Sequence, residues 1–340
     1  MPYHPLFTEN ACLRFKGGDC TSCVDVCPSK AISLVDTTRF IGDICLACGA
    51  CAAVCPVDAV THNAAEQLLK KITSLSPTAT ISVGCFAIPF APEGMVQLDG
   101  CLSAIGLDIL VTMALVDVET LRFVHGNCGK CTKGDQCRLF ARTLDAFRLA
   151  CPAVSEKIQC VEKKNSRQTS ANTMSRRGLF NLFGSRKEAV SSQVRADESV
   201  LFQSQTAGSK RMRLHAAFHS LSCSEHVPEI VRIAEIEIAQ SCTGCGTCSR
   251  VCPVNALEFV VDNNEFSIRF TTWKCVDCGL CVKSCLSESI HRHPATRESL
   301  TGSIPRTLYS GSLQKCKRCK AVSTTLTNGY CGICAHKLGV

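Results

Sequence analysis

Large aromatic residues are scarce in this 340-residue chain, which has one Trp and three Tyr, and only 19% of its residues are charged. That composition argues against one large hydrophobic core and favours small domains held by covalent or metallic links. No basic-plus-apolar leader opens the N-terminus, MPYHPLFTEN, so the expectation is a cytoplasmic chain rather than an exported one. Nor is there an apolar run of membrane length. The most apolar window, Ala104 to Val118, contains Asp108 and Asp117 and is too short to cross a bilayer. Nucleotide loops of the Gly-x-Gly-x-x-Gly and Walker types are missing, as is the Cys-x-x-Cys-His of covalent haem. No acid–base or nucleophile constellation stands out, which points away from substrate catalysis.

What the chain has instead is cysteine, 28 residues of it. In a reducing compartment so many thiols read as metal ligands rather than disulfides. Two stretches repeat one another: ACGACAAVCPVDAV at 47–60 and GCGTCSRVCPVNAL at 244–257. Each sits in a unit with a second cysteine block. In the C-terminal unit one block is Cys242, Cys245, Cys248 and Cys252, and the other is Cys275, Cys278, Cys281 and Cys285. Both have the spacing C-x2-C-x2-C-x3-C, which Cys45, Cys48, Cys51 and Cys55 keep in the N-terminal unit. The block before them is stretched, with seven residues between Cys12 and the group Cys20, Cys23 and Cys27. Zinc knuckles need neither the third Cys nor the fourth before a Pro.

This pattern resembles the bacterial dicluster ferredoxin motif, present twice. In that family three close thiolates hold one [4Fe–4S] cube and the fourth Cys crosses to the other. Carried over, the resemblance implies cluster one on Cys12, Cys20, Cys23 and Cys55, and cluster two on Cys27, Cys45, Cys48 and Cys51. Cluster three takes Cys242, Cys245, Cys248 and Cys285, and cluster four takes Cys252, Cys275, Cys278 and Cys281. Two departures stand out. The stretch from Leu13 to Asp19 loosens Cys12, which makes cluster one the expected labile or three-iron member, and Leu286 replaces the Pro after Cys285. Between the C-terminal blocks, 257–261 and 265–270 read as a hairpin around a polar turn.

Residues 79–150 have another rhythm. Apolar strand-like runs at 80–83, 95–98 and 120–124 each precede a cysteine, namely Cys85, Cys101 and Cys128, and a helix-length run covers 102–115. Strand, strand, helix, strand reads as a small α/β sheet, with its cysteines at the carboxyl edge where such sheets place their sites. Cys137 opens a further helix whose Leu139, Phe140, Leu144 and Phe147 form one apolar face, read as core. The elements Cys85, Gly100-Cys101-Leu102 and Gly126-x-Cys128-x-x-Cys131 resemble the delta (iron–sulfur) subunit of methyl-viologen-reducing hydrogenases. The resemblance implies a further Fe–S centre, such as [2Fe–2S], on Cys85, Cys101, Cys128 and Cys131. Buried structural cysteines are the alternative. His125 reads as a loop histidine, and Cys151, Cys160 and Cys223 as ordinary thiols.

From Lys157 to Arg213 the chain has 12 basic and 4 acidic residues, an excess equal to the whole net charge of +8. Without an aromatic platform or a reader fold this does not indicate nucleic acid. Four oxidised cubes with their thiolates, about −2 each, offset the excess. The segment leaves peripheral docking on an anionic membrane open. Ser175-Arg-Arg-Gly178 looks like an export motif out of place. It also resembles the start of cytoplasmic accessory ferredoxins of periplasmic nitrate reductase, as if Met174 began a fused second frame. Near the C-terminus, Cys316, Cys319, Cys331 and Cys334 form two Cys-x-x-Cys knuckles that resemble a zinc ribbon. Zinc is the default occupant, and a single iron has the same ligand set.

The fold expected is α+β and multidomain. Residues 1–66 and 228–296 form dicluster ferredoxin domains, 76–156 a small α/β Cys-rich domain, 157–213 a basic flexible linker, and 310–340 a four-cysteine zinc-ribbon-like tail. The function expected is a non-catalytic polyferredoxin that relays electrons between enzymes of hydrogenase, reductase or dehydrogenase type, as a subunit of a larger oxidoreductase. The alternative is an accessory or maturation ferredoxin for an exported molybdo- or metalloenzyme.

Overall fold

Closely spaced cysteine loops leave the first unit little room for regular structure. Strands β1 (Leu6–Phe7), β2 (Ile32–Ser33), β3 (Arg39–Phe40) and β4 (Val60–Thr61) form two antiparallel pairs, β1 with β4 and β2 with β3. Short helices, Ser22–Asp25 and Ala50–Val54, follow the cysteine loops. The computed structural model describes residues 4–34, 39–40, 42–75, 78–88, 94–132, 137–163, 209–221, 223–225 and 227–339. The Ser175-Arg-Arg-Gly178 motif lies outside them.

The middle region is built on a four-stranded parallel sheet. Its strands are β5 (Thr78–Gly84), β6 (Met95–Gln97), β7 (Val118–His125) and β8 (Ile158–Glu162), in the order β6-β5-β7-β8. Helix Leu107–Ala114 connects β6 to β7, and helix Cys137–Ala150 lies between β7 and β8. Helix Asn63–Thr73 buries Leu68, Leu69 and Ile72 in the same core, as expected of apolar residues recurring at helical spacing. Leu139, Phe140, Leu144 and Phe147 are buried, and Phe140 meets Phe123 edge-on at 5.0 Å.

Both ends of the segment 157–213, expected as a basic linker, are regular structure. Strand β8 occupies its first residues, because Ile158 buries against the sheet while the neighbouring lysines reach solvent or carbonyl oxygens. Its last residues begin helix Ser209–Ser220, which buries Leu214, Ala217 and Phe218 in the middle core. One of its cations is matched there: Arg213 pairs with Asp108 at 2.6 Å and Glu66 at 2.8 Å. Asp108 is 2% exposed inside the otherwise apolar 107–114 helix.

In the second unit β9 (Ala234–Ile238), β10 (Leu257–Asp262), β11 (Glu265–Phe270), β12 (Ile290–Pro294) and β13 (Arg306–Ser312) form two sheets. β9 pairs with β12, and the hairpin β10–β11 gains β13 as a third strand. Asn263 has a φ of 53°, as a tight hairpin turn requires. The tail adds β14 (Gln314–Lys315), β15 (Val322–Ser323) and helix Gly332–Leu338. The two units share a seam, since Val276 of the second, 1% exposed, completes the core of the first beside Val254. Among the described residues no helix is long and apolar enough to cross a membrane.

Candidate metal centres

The ligand loops fold so that main-chain N–H groups point at sulfur. Ala47 donates to Cys45 at 3.4 Å, Gly244 to Cys242 at 3.4 Å and Asp277 to Cys275 at 3.4 Å, each two residues on. Ala31, Ala256 and Ser289 donate to Cys27, Cys252 and Cys285 at 3.2, 3.2 and 3.4 Å, each four residues on. The wrap needs left-handed backbone, and Ala47, Gly244 and Asp277 all adopt it, with φ of 48°, 66° and 47°. Such nests of N–H groups favour anionic sulfur.

The sulfurs converge in quartets. Cys27, Cys45, Cys48 and Cys51 line one cavity, and Cys252, Cys275, Cys278 and Cys281 line another. Burial, and then the neighbouring thiols Cys55, Cys20 and Cys12, push the Cys23 thiol up to about 12. Burial pushes Cys248 up to about 11, and Cys242, Cys245 and Cys285 act in the same sense. Cys281 rises to about 12 through burial and through Cys275, Cys278 and Cys252. Thiols gathered this tightly ionise together only around a cationic centre, so the donor sets fit iron–sulfur cubes. Cys12 stays with its group despite the seven-residue insertion, because Leu13 buries and Gly18 N–H closes the loop onto the Leu13 carbonyl at 2.9 Å.

At the carboxyl edge of the parallel sheet, Cys85, Cys101, Cys128 and Cys131 line one cavity with His125. Chain direction alone puts three of them there, since β5, β6 and β7 are parallel. His125 Nδ1 lies 3.6 Å from the Cys128 sulfur. Cys160, read as an isolated thiol, is close enough to Cys128 and Cys85 that both oppose its ionisation, behind burial as the main cause. Cys151 and Cys223 also had no sequence partner, yet their sulfurs lie 2.6 Å apart and buried. A pairing across 72 positions leaves no spacing signal.

The tail quartet is of another kind. Cys316, Cys319, Cys331 and Cys334 offer ligand atoms all within 4.8 Å of one another, and no other group among the described residues is that compact. A tetrahedral ion with bonds of about 2.3 Å puts its sulfurs roughly 3.8 Å apart. Cys319 and Cys331 stand at 3.7 Å. The backbone N–H groups of Cys319 and Cys331 hold the Cys316 thiol down to about 6.

Three residues escaped the sequence reading because they lie outside every motif. Lys210 Nζ donates to the Cys55 carbonyl at 3.0 Å. Arg232 Nη1 donates to the Cys20 sulfur at 3.3 Å. Arg211, 5% exposed, lies near Cys275.

The 4Fe-4S dicluster domain family matches residues 18–59 and 241–289. The chain carries two ferredoxin-type dicluster domains. Ferredoxin 7Fe of Hydrogenibacillus schlegelii is 50% identical over 43 residues, 12% of this chain and 55% of that protein. Ferredoxin-type protein NapF of Escherichia coli strain K12 is 40% identical over 58 residues, 15% of this chain and 35% of that protein. The chain thus spans about half the length of the first relative and about a third of the second. Two such domains indicate that the chain binds [4Fe–4S] clusters.

Proposed function

We propose that the chain is a polyferredoxin subunit of a larger oxidoreductase, passing electrons between redox enzymes in the cytoplasm without substrate chemistry of its own. The observation that carries this reading is contiguity. Cys48 of the second quartet shares a small buried cluster with Cys101 of the sheet-edge site, so neither centre is isolated. Clusters one to four take the ligand sets that the motif implies. The middle centre takes Cys85, Cys101, Cys128 and Cys131, whose wider spacing suits a [2Fe–2S]-type group better than one ion. The tail takes zinc as a structural staple. Partners are subunits of hydrogenase, reductase or dehydrogenase type, and they reach the relay at its exposed ends, one of which is at Cys245.

Anaerobic reconstitution with iron and sulfide analysis tests the count. Four cubes give about 16 iron atoms, and a [2Fe–2S] centre adds about 2. A plateau near 8 removes one dicluster unit. Co-purification tests the role, since a loaded redox enzyme is expected.

A second reading, an accessory ferredoxin for an exported molybdo- or metalloenzyme, is favoured by the similarity to NapF and by Ser175-Arg-Arg-Gly178. Capture of an unloaded precursor would select it.

A further inference from the structure

Arg232, Ile233 and Ala234 touch both ferredoxin units within three residues. The Arg232 guanidinium donates to the Cys20 sulfur at 3.3 Å and to the Ser22 hydroxyl, both in the first unit. Two residues on, the Ala234 backbone N–H faces the Cys275 sulfur in the second. Cα atoms two residues apart are separated by at most about 7 Å. One short piece of chain therefore contacts a sulfur of the first quartet and a sulfur of the fourth.

Behind this piece of chain lies the buried Arg211, on which Asp58 and Asp108 also act. The Arg232 carbonyl accepts a hydrogen bond from Arg211 Nη2 at 2.6 Å. Nη1 of Arg211 is buried with no hydrogen-bond partner. The Arg211 guanidinium is near enough to act on the Cys275 sulfur. Val276 and Cys278 close the seam against the first unit, and Lys16 Nζ reaches the Pro253 carbonyl across it at 3.3 Å.

We propose that electrons cross between the two dicluster units at this seam, between clusters four and one, and that Arg232 with Arg211 behind it sets the potentials there. The inference rests on the cluster assignment of the preceding subsection. Reduction adds negative charge to a cluster, so a nearby cation and an N–H···S hydrogen bond favour the reduced form. Each crossing moves one electron, oxidising one cluster and reducing the other, and no bond or proton changes place. The order along the molecule is then cluster three, four, one, two and the sheet-edge site. Arg232 is a positioning residue, since it acts through Cys20.

The test is an anaerobic, EPR-monitored redox titration of the reconstituted full chain. Signals lost in Cys20→Ala and Cys275→Ala identify clusters one and four. Arg232→Asn suits the left-handed backbone at φ 51° and removes the guanidinium. It is expected to keep the full iron content and move cluster one to lower potential, with clusters two and three unmoved. Arg211→Met is expected to do the same to cluster four, and Arg232→Lys to recover part of the first shift. Dipolar broadening of the cluster-one signal on full reduction is expected to weaken when Cys275→Ala removes cluster four. Full iron with unmoved potentials, and broadening indifferent to cluster four, would overturn the junction. Should Arg232→Asn lose iron, Arg211→Met and the broadening decide. A wild-type protein that takes up too little iron for four cubes overturns the cluster assignment instead.

Discussion

The fully buried Ser103 hydroxyl donates a 3.1 Å hydrogen bond to the carbonyl of Cys48. This bond ties the loop after β6 to the loop that carries the second quartet. Behind it, Gly49 has a φ of 78°, and a Cβ there would stand 2.5 Å from the Ala104 Cβ.

Gly49→Ala is therefore expected to destabilise the protein by about 1–3 kcal/mol, through left-handed strain and overpacking against a backbone that cannot retreat. Urea unfolding under anaerobic conditions measures the loss. EPR should show the second cluster perturbed first, and a variant with wild-type midpoint and spectrum would show that the contact carries no energy.

Cys252→Ala should damage the cluster held by Cys275, Cys278 and Cys281, leaving the cluster of its own loop neighbours Cys242, Cys245 and Cys248. The reason is the shared cavity of Cys252 with the later three. EPR of the reduced variant separates the two, and loss of the Cys242 cluster alone reverses the assignment.

Arg213→Met leaves the Asp108 carboxylate buried without its cation. Burial works to lower the Arg213 pKa, but Asp108 and Glu66 more than offset it and hold the guanidinium above its ordinary value. Removing one partner of a buried pair costs about 3–5 kcal/mol. The double change with Asp108→Leu should recover most of that in the same urea assay. A double-variant loss equal to the sum of the Arg213→Met and Asp108→Leu losses would mean the pair is not coupled.

In the tail, Cys331→Ser should remove one zinc per chain and no iron, and open residues 310–340 to limited proteolysis. Metal analysis beside the EPR spectrum checks it. Iron falling in step with zinc would show that the tail belongs to a cluster site.

The two dicluster domains were legible because their chemistry fixes local cysteine spacing, and three of the four sheet strands because apolar runs end in cysteine. The hairpin 257–270 was legible from its polar turn. β8 and helix Ser209–Ser220 were not, since both lie in a segment whose lysines and arginines dominate its composition. Their partners, Asp108, Glu66 and the Ala114 and Val116 carbonyls, are distant in sequence. Arg232 was invisible for the same reason: its sulfur partner is 212 positions away.

Cys48 and Cys245 occupy the same place in the two repeats, yet Cys48 is buried and Cys245 exposed. The glycine that follows each tells the same story, with Ala104 of another domain over Gly49 and Phe259 of its own hairpin over Gly246. Two near-copies of one sequence have thus acquired unlike neighbours. The first copy has lost its independence, because its surface is committed inside the molecule. The second keeps its corresponding face open to other molecules. Exchanging the copies would put a polar Thr247 where Ala50 is enclosed, so the halves have ceased to be interchangeable parts.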